Sequence, residues 1–281
     1  MKIYRYWAKA SEPVQKADRT WNLECYGGSN SNVEEALRRA SERAKAAAAA
    51  IRQGSPPDHY EYGERPIREE IVEEFQFDGR TVAVLTRNSY GSLIINTSHA
   101  LFADIDYRPP SLLATLRDGV GRLFGRQPST QDEQVVACVR RVVRETQDLG
   151  IRLYRTSNGF RCLVTTHTYD PTAQETVNLL QDLDSDPLYV TLCKTHECFR
   201  ARVSPKPWRC GVPRPASRFP RVNPEAEQAY GEWKTAYQEQ ADAYSTCALI
   251  GDFGASHVHP AVEPVLRLHD GLACSGNGPL A

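Results

Sequence analysis

The chain has 281 residues, of which 25% are charged and 41% hydrophobic, and these values are typical of a soluble globular protein. Its net charge of −1 excludes a global basic field for nucleic acid, so any such contact must come from local patches. No segment has the roughly 18 apolar residues of a membrane helix, and the start, MKIYRYWAKA, lacks the apolar core of a signal peptide. Eight scattered cysteines are expected to be reduced thiols, so we expect a cytoplasmic protein.

The first region, residues 1–98, reads as one helix packed on an antiparallel meander. Its helix is indicated by i,i+4 ion pairs and a run of alanines, with Ser31 or Asn32 as the cap and Gly54 at the end. The turn Asp78-Gly79 favours a hairpin. In chain order the predicted elements are a strand (3–8), a loop (25–31), a helix (32–53) and three strands (70–77, 80–87 and 92–96). None of them indicates a chemistry.

The stretch 99–107, HALFADIDY, opens the second region, residues 99–193, and ends on two aspartates. Successive side chains of a strand alternate between faces, so Asp104 and Asp106 are expected on one face, about 7 Å apart. Two carboxylates at that distance repel each other unless a cation lies between them. Mg²⁺ or Mn²⁺ is the natural candidate. The alternative is a solvated pair at the mouth of a loop.

The elements after this strand alternate in type. They are an apolar helical stripe over 111–125, a helix (130–149), two strands (151–156 and 160–167) around an Asn-Gly turn, a helix beginning near Asp170-Pro171, and a strand (188–193). Strand, helix, strand, strand, helix, strand is the split βαβ order, in which helices cover one face of a four-stranded sheet. We therefore predict an α+β fold: a ferredoxin-like or RRM-like palm with an N-terminal helix-and-meander module and a C-terminal helical extension.

Alternation also assigns residues to the uncovered face of this sheet. If Asn158-Gly159 forms the turn, Leu153 opposes Val164 and faces the helices. Tyr154, Arg161, Asp104 and Asp106 then share the open face. Acidic, cationic and aromatic groups on one open surface indicate a site for a metal-bound phosphate.

An Asp-x-Asp pair on the first strand of such a sheet resembles the palm of archaeo-eukaryotic primases and primase-polymerases, over residues 99–210. The family's second motif, Ser-x-His, is approached by Ser157-Asn158-Gly159-Phe160-Arg161, where Arg161 replaces the histidine and His167 lies six residues on. Its third acid would be Asp184 or Asp186. The resemblance implies a metal-dependent nucleotidyltransferase with Asp104, Asp106 and Asp186 as catalytic residues and the first two as ligands of Mg²⁺ or Mn²⁺.

The third region, residues 194–281, begins with a basic segment. Residues 194–221 hold eight Lys and Arg against Glu197 and are interleaved with aromatics, a composition that suits single-stranded nucleic acid or a triphosphate. The alternative is a solvated, proline-rich connector. The expected phosphate ligands are Ser157, Arg161, His167, Arg200, Arg202 and Lys206, and the expected base-stacking residues are Phe199 and Trp208.

The same region offers a set of zinc ligands in Cys193, His196, Cys198 and Cys210, although their spacing is irregular for a zinc site. A helix is expected over 223–246, followed by a loop-like tail beyond Gly251. The expected partners are a nucleoside triphosphate and single-stranded DNA or RNA.

Two alternatives stay open. A resemblance to diguanylate cyclases is weakened because the hairpin SNGF lacks their acidic residues. A catalytically silent palm or RRM-like module would bind single-stranded nucleic acid or a protein, with Tyr154 and Tyr189 as the exposed aromatics that an RRM needs.

Overall fold

The computed structural model describes residues 1–16, 19–54, 67–107, 130–221, 223–276 and 278–281, and over these residues the fold is α+β. In these described ranges ten strands form one two-stranded and two four-stranded antiparallel sheets. The strands are β1 (Tyr6–Lys16), β2 (Arg19–Ser29), β3 (Glu70–Phe77), β4 (Arg80–Arg87), β5 (Leu93–Thr97), β6 (Phe102–Asp106), β7 (Gly150–Thr156), β8 (Gly159–Val164), β9 (Phe199–Arg202) and β10 (Cys247–Gly254). The helices of the described chain are α1 (Val33–Arg52), α2 (Gln131–Glu145), α3 (Gln174–Asp182), α4 (Pro187–His196), α5 (Pro224–Ala241) and α6 (Glu263–Ala273).

The N-terminal hairpin β1–β2 packs on α1. The predicted helix is confirmed, since the Asn32 side chain accepts a hydrogen bond from the Glu35 amide at 2.8 Å. The predicted loop over 25–31 is wrong for its first five residues, which belong to β2. A Cβ on Gly27 would lie 2.2 Å from the Ala36 carbonyl oxygen, so this strand needs glycine to meet the alanine face of the helix.

The predicted meander is confirmed as β3, β4 and β5, and the first sheet has the order β3-β4-β5-β9. Its turn has positive φ at both Asp78 and Gly79, as a type I′ turn requires. The fourth strand, β9, comes from the basic segment and pairs with β5. A strand of the third region therefore completes the sheet of the first.

The second sheet has the order β10-β7-β8-β6 and carries the Asp-x-Asp strand. Strand β8 lies between β6 and β7 and is antiparallel to both. The split β-α-β arrangement is thus present for these three strands, with α2 on the connection between β6 and β7. The helix predicted over 111–125 lies outside the described residues.

The hairpin turn lies one residue earlier in the chain than predicted, so each residue of β7 pairs with a residue of β8 two positions earlier than predicted. Leu153 opposes Cys162, not Val164, because Ser157 and Asn158 form the turn and Gly159 already belongs to β8. A Cβ at Gly159 would lie 2.0 Å from the Ile105 carbonyl oxygen, so the glycine lets β8 approach β6 closely. The face assignment is unchanged, because the partner of each residue shifts by two positions and side chains alternate between faces with a period of two.

The strand predicted over 188–193 is wrong, because these residues form α4. Asp186 caps this helix through a hydrogen bond from the Leu188 amide at 3.1 Å, and Pro187 occupies the first turn. The predicted loop-like tail beyond Gly251 is also wrong, since it forms the end of β10 and all of α6. The fourth strand is therefore β10, next to β7. A ferredoxin-like palm in the strict sense is not confirmed.

Helices pack on both faces of the second sheet. On one face, Arg155 of β7 forms an ion pair with Asp132 of α2. On the other face, the His269 ring of α6 lies 5.3 Å from the Phe102 ring and 4.6 Å from the Tyr154 ring, between centroids. Helix α6 therefore covers part of the face that the sequence predicted to be open. None of the helices in the described ranges is long and apolar enough to cross a membrane.

Candidate functional site

The two aspartates lie at the uncovered end of β6. Asp104 opposes Arg161 of β8, and Asp106 opposes Gly159. The Nη2 atom of Arg161 lies 3.4 Å from Oδ1 of Asp104; the arginine side chain is 5% exposed and the aspartate 39%. Asp106 is exposed and accepts a 3.4 Å hydrogen bond from the Asn158 amide. The pair thus occupies one face, as predicted, with a buried cation behind its first member.

Asp186 joins this pair, as the third acid of the sequence analysis. Its backbone N–H and the Ser185 hydroxyl both donate to the Asp104 carbonyl oxygen, at 2.9 and 3.0 Å. Burial and the Asp104 carboxylate raise the pKa of Asp106, and Asp186 raises it further. We call these three residues the acidic cluster. In the absence of a ligand its carboxylates repel one another.

Three cations of the basic segment, Arg202, Lys206 and Arg209, lie close enough for their charges to interact and are here called the basic cluster; Lys206 also interacts with Asp106 and Asp104 of the acidic cluster. Burial lowers the pKa of Arg202, and the charges of Arg161 and Arg209 lower it further. Burial and the two arginines of the cluster likewise lower the pKa of Lys206, whereas Asp106 and Asp104 raise it. Within the described ranges Arg202 has no aspartate or glutamate partner; it donates to the Ser204 carbonyl oxygen and to an oxygen of Ala281, at 2.8 and 3.2 Å. Its positive charge is therefore only partly compensated.

Ser157 and Trp208 lie beside these cations. Arg209 donates a hydrogen bond to the Ser157 hydroxyl, which ties the β7–β8 turn to the basic segment. The Trp208 side chain is 43% exposed, with the Arg214 guanidinium carbon 4.4 Å and the Lys206 ammonium nitrogen 5.7 Å from its ring centroid. Tyr90 meets Trp208 edge-on at 5.3 Å. An exposed ring among cations can stack with a nucleobase.

Several expected site residues lie elsewhere. Phe199 is fully buried, so its ring cannot stack with a base. Arg200 forms a 2.7 Å ion pair with Glu69, which satisfies its charge. His167 follows the end of β8 opposite Gly159 and contacts Thr166 and Tyr169. The aromatics of an RRM-like surface are not available either, because Tyr154 is covered by α6 and the Tyr189 hydroxyl contacts backbone atoms of Phe102 and Arg200.

The residues of the possible zinc set are dispersed. Cys210 packs with Tyr237, and its thiol contacts the Pro207 carbonyl oxygen at 3.2 Å. Cys193, His196 and Cys198 lie around the end of α4, and burial lowers the pKa of His196 to about 4. In the part of the chain that the structure describes, no three His, Cys, Asp or Glu side chains are grouped so as to hold a metal ion.

Two carboxylates nevertheless suit a hard divalent ion that is bound together with a ligand. Mg²⁺ usually takes one or two protein carboxylates and completes its shell with water and substrate phosphates. Asp104 and Asp106 offer these oxygens; burial and then repulsion by Asp104 raise the pKa of Asp106, and a cation would relieve that repulsion. The residues present therefore fit a metal that arrives with a phosphate, and they do not form a closed cage.

Sequence reasoning missed Tyr90, Ser185 and Arg209. Arg209 could have been found, because it lies in the basic segment next to Trp208. Tyr90 lies in the turn between β4 and β5, and its place beside Trp208 follows from the pairing of β9 with β5, which no local pattern shows. No family model, no curated protein and no solved structure matches this chain. The interpretation of the site therefore depends on its geometry and charge.

Proposed function

We propose that the protein is a metal-dependent nucleotidyltransferase resembling the primase-polymerases, with its site where the acidic cluster meets the basic cluster. The observation that supports this most is the juxtaposition of two poorly compensated charge groups of opposite sign. Asp106 has a raised pKa, whereas Arg202 and Lys206 have lowered ones. A nucleoside triphosphate with its divalent cation satisfies both groups at once, because the metal meets the carboxylates and the phosphates meet the cations.

In this proposal each cluster has a defined task. Asp104 and Asp106 would hold Mg²⁺ or Mn²⁺, and Arg202, Lys206 and Arg209 would bind the phosphates of the nucleotide. Trp208 stacks with the base of the nucleotide or of a single strand. Asp186 keeps Asp104 in place through its backbone N–H and adds negative charge beside Asp106. The proposed palm differs from the ferredoxin-like arrangement in its fourth strand. This strand is β10, which pairs with β7 at the edge of the sheet opposite β6.

When bound, the metal supplies charge stabilisation for the triphosphate and lowers the pKa of the attacking hydroxyl. The chain's own part is to hold the phosphates in one orientation and to counter the negative charge that develops on them. Arg209 is fixed by the Ser157 hydroxyl, so its guanidinium is oriented before the ligand arrives.

The first test is calorimetric titration of Mn²⁺, with and without a nucleoside triphosphate. We expect weak binding of the metal alone and much tighter binding with the nucleotide, because the phosphates complete the coordination shell. Asp106→Asn is the test variant, since in the described part of the chain no arginine pairs with Asp106 and its substitution should not disturb the fold. Glu239→Gln, at an exposed acid on α5, is the matched control. Equal binding by the wild type and Asp106→Asn would refute the metal site.

The second test addresses catalysis. Purified protein is incubated with a labelled nucleotide, Mn²⁺ and a single-stranded template, with and without a primer. Incorporation that is lost in Asp106→Asn and kept in Glu239→Gln supports nucleotidyl transfer.

One observation favours a second candidate, a catalytically silent module that binds single-stranded nucleic acid. Arg161 already neutralises Asp104 from inside the fold, where a primase-polymerase would have a histidine. A metal at Asp104 must compete with this ion pair. Salt-dependent binding of a fluorescent oligonucleotide that persists in the double variant Asp104→Asn/Asp106→Asn, without any incorporation, would favour the silent module.

A further inference from the structure

Behind the site, a set of buried polar side chains joins α6 to the acidic cluster. His269 is fully buried against the sheet. Its Nδ1 lies 3.1 Å from Oδ1 of Asp270, and its Nε2 lies 3.5 Å from Nη1 of Arg161. Arg161 in turn reaches Asp104 through its other terminal nitrogen. These four residues, from Asp270 to Asp104, are here called the charged bridge.

The ionisation states of Asp270 and His269 determine which atom donates and which accepts at each contact of the charged bridge. Burial opposes ionisation of Asp270, but hydrogen bonds from His269 and Tyr154 outweigh it and lower the pKa of the carboxyl group. The carboxylate is therefore an acceptor, and the Nδ1 of His269 must donate to it. Burial lowers the pKa of His269, and the Arg161 charge lowers it further. The ring is then neutral at pH 7, with a lone pair on Nε2 that can accept from Arg161.

The orientation of the Arg161 guanidinium depends on these neighbours. Within the described ranges Asp104 is its one carboxylate partner, and its Nε atom has no hydrogen-bond acceptor. Its Nη1 donates to the Arg202 carbonyl oxygen at 2.8 Å and also lies 3.5 Å from the Cys247 thiol. Nε2 of His269 is therefore one of few acceptors that fix the orientation of a buried guanidinium. A buried donor that loses its acceptor reorients or admits water.

We propose that His269 is a positioning residue: through Arg161 it sets the orientation of Asp104, which makes α6 part of the nucleotide site. The inference rests on the proposed function for its consequence in metal binding, and on the contacts alone for its geometry. Partners of this kind, which act through a metal ligand, typically change metal affinity by about 10–100-fold. The longest link here is 3.5 Å, so we expect the lower end of that range.

The experiment compares three variants with the wild type. His269→Phe keeps ring contacts with Phe102 and Tyr154 and removes the Nε2 acceptor. His269→Gln restores an acceptor, because its amide oxygen reaches approximately the same position. His257→Gln is the matched control at an exposed histidine. Circular dichroism and thermal melts confirm that each variant is folded.

Two readouts are needed. The dissociation constant of Mn²⁺ with a nucleoside triphosphate is expected to rise about 10-fold in His269→Phe and less than about 3-fold in His269→Gln and His257→Gln. Histidine ¹⁵N spectra of the wild type are expected to show the proton on Nδ1 of His269. Solvent exchange of the Arg161 guanidinium protons is expected to be faster in His269→Phe alone.

The outcomes are separable. A proton on Nε2 in the wild type overturns the inference, because two donors would then face each other. Unchanged Mn²⁺–nucleotide affinity in His269→Phe also overturns it and leaves the proposed function standing. If the wild type does not bind Mn²⁺ with nucleotide, the proposed function fails, and the tautomer and Arg161 exchange alone decide whether His269 orients Arg161. If His269→Phe does not fold, the tautomer and the affinity of His269→Gln decide in the same way.

Discussion

One face of the second sheet consists of two unlike halves. The covered half, formed by Phe102, Leu163 and Tyr154, is fully buried, and α6 packs on it. The open half, which holds Asp104, Asp106 and Ser157, carries charges and reaches solvent. Arg161 lies at the boundary, buried by the first half and paired with an acid of the second. Neighbouring residues on the same strands thus form the packed core in one half and carry exposed charges in the other, and the proposed ligand site lies in the second.

The largest expected effect is on the covered half. Phe102→Ala should lower the free energy of unfolding by about 3–5 kcal/mol, because it removes a fully buried ring of β6 that packs against α6. Urea denaturation followed by circular dichroism measures this. Trp208→Ala, at the open end, should change the free energy of unfolding by less than about 0.5 kcal/mol. Equal losses from the two variants would contradict the division of the face.

The next effect is at the boundary. Asp104→Asn should destabilise the fold by about 1–3 kcal/mol, because Arg161 stays buried without its carboxylate; the partial exposure of Asp104 makes this less than for a fully buried pair. Adding Arg161→Met should recover part of the loss, since the unpaired charge is then gone. A double-mutant cycle of denaturation curves tests this. Additive losses in the double variant would count against a coupled pair.

In the basic cluster, next to the open half, we expect substitutions to weaken nucleotide binding and to change stability little. Arg209→Ala and Lys206→Ala should each weaken nucleotide binding about tenfold, which is about 1.4 kcal/mol, because each removes a charged contact to phosphate. Arg218→Ala, at an exposed arginine of the same basic segment, is the control. Calorimetric titration with a nucleoside triphosphate and Mn²⁺ measures the change. Similar losses in all three variants would indicate only a diffuse positive field.

The stability of the covered half should depend on pH through His269 of α6. Burial lowers the pKa of His269 in the folded protein, so the folded state binds fewer protons than the unfolded one below pH 6.5. Stability contributed by the neutral histidine is therefore present above that pH and is lost as the pH falls. Melting temperatures measured between pH 7.5 and pH 5 should fall less steeply in His269→Gln than in the wild type. Parallel curves would exclude His269 as the cause.

The smallest expected effect on stability is an unchanged or slightly increased melting temperature, in contrast to the losses above. The pKa of Asp106 is raised, so its ionised form is disfavoured in the folded protein. Asp106→Asn should leave the melting temperature unchanged or raise it by a few degrees, while it removes Mn²⁺–nucleotide binding. Residues kept at a cost in stability are a mark of binding sites. A clear loss of stability in this variant would mean that Asp106 is structural.

Local sequence patterns predicted much of this molecule. The alternation in β6 and β8 placed Asp104 and Arg161 on one face, and the cap of α1 was visible as Asn32. The segment 188–193 misled because apolar residues at alternate positions also fit a helix this short. The stronger local signal there was Asp186-Pro187, which starts a helix.

The covered half could not be predicted, because it depends on contacts between residues far apart in the chain. In α6, Val265, Leu266, His269 and Ala273 have helical spacing, but nearby proline and glycine made the tail resemble a loop. Even with the helix recognised, its place on Phe102 and Tyr154 follows from tertiary packing. The prediction of an open face was therefore right for one half and wrong for the other.

Tyr189 has a consequence for the kinetics of binding. Its hydroxyl lies 3.0 Å from the Phe102 carbonyl oxygen of β6 and 3.1 Å from that of Arg200 in β9, so one side chain fastens together a strand from each sheet. The carboxylates and the basic segment are thereby held at a fixed separation before any ligand arrives. Association with a nucleotide should accordingly proceed in a single fast step, without the slow closing phase of enzymes whose domains swing shut.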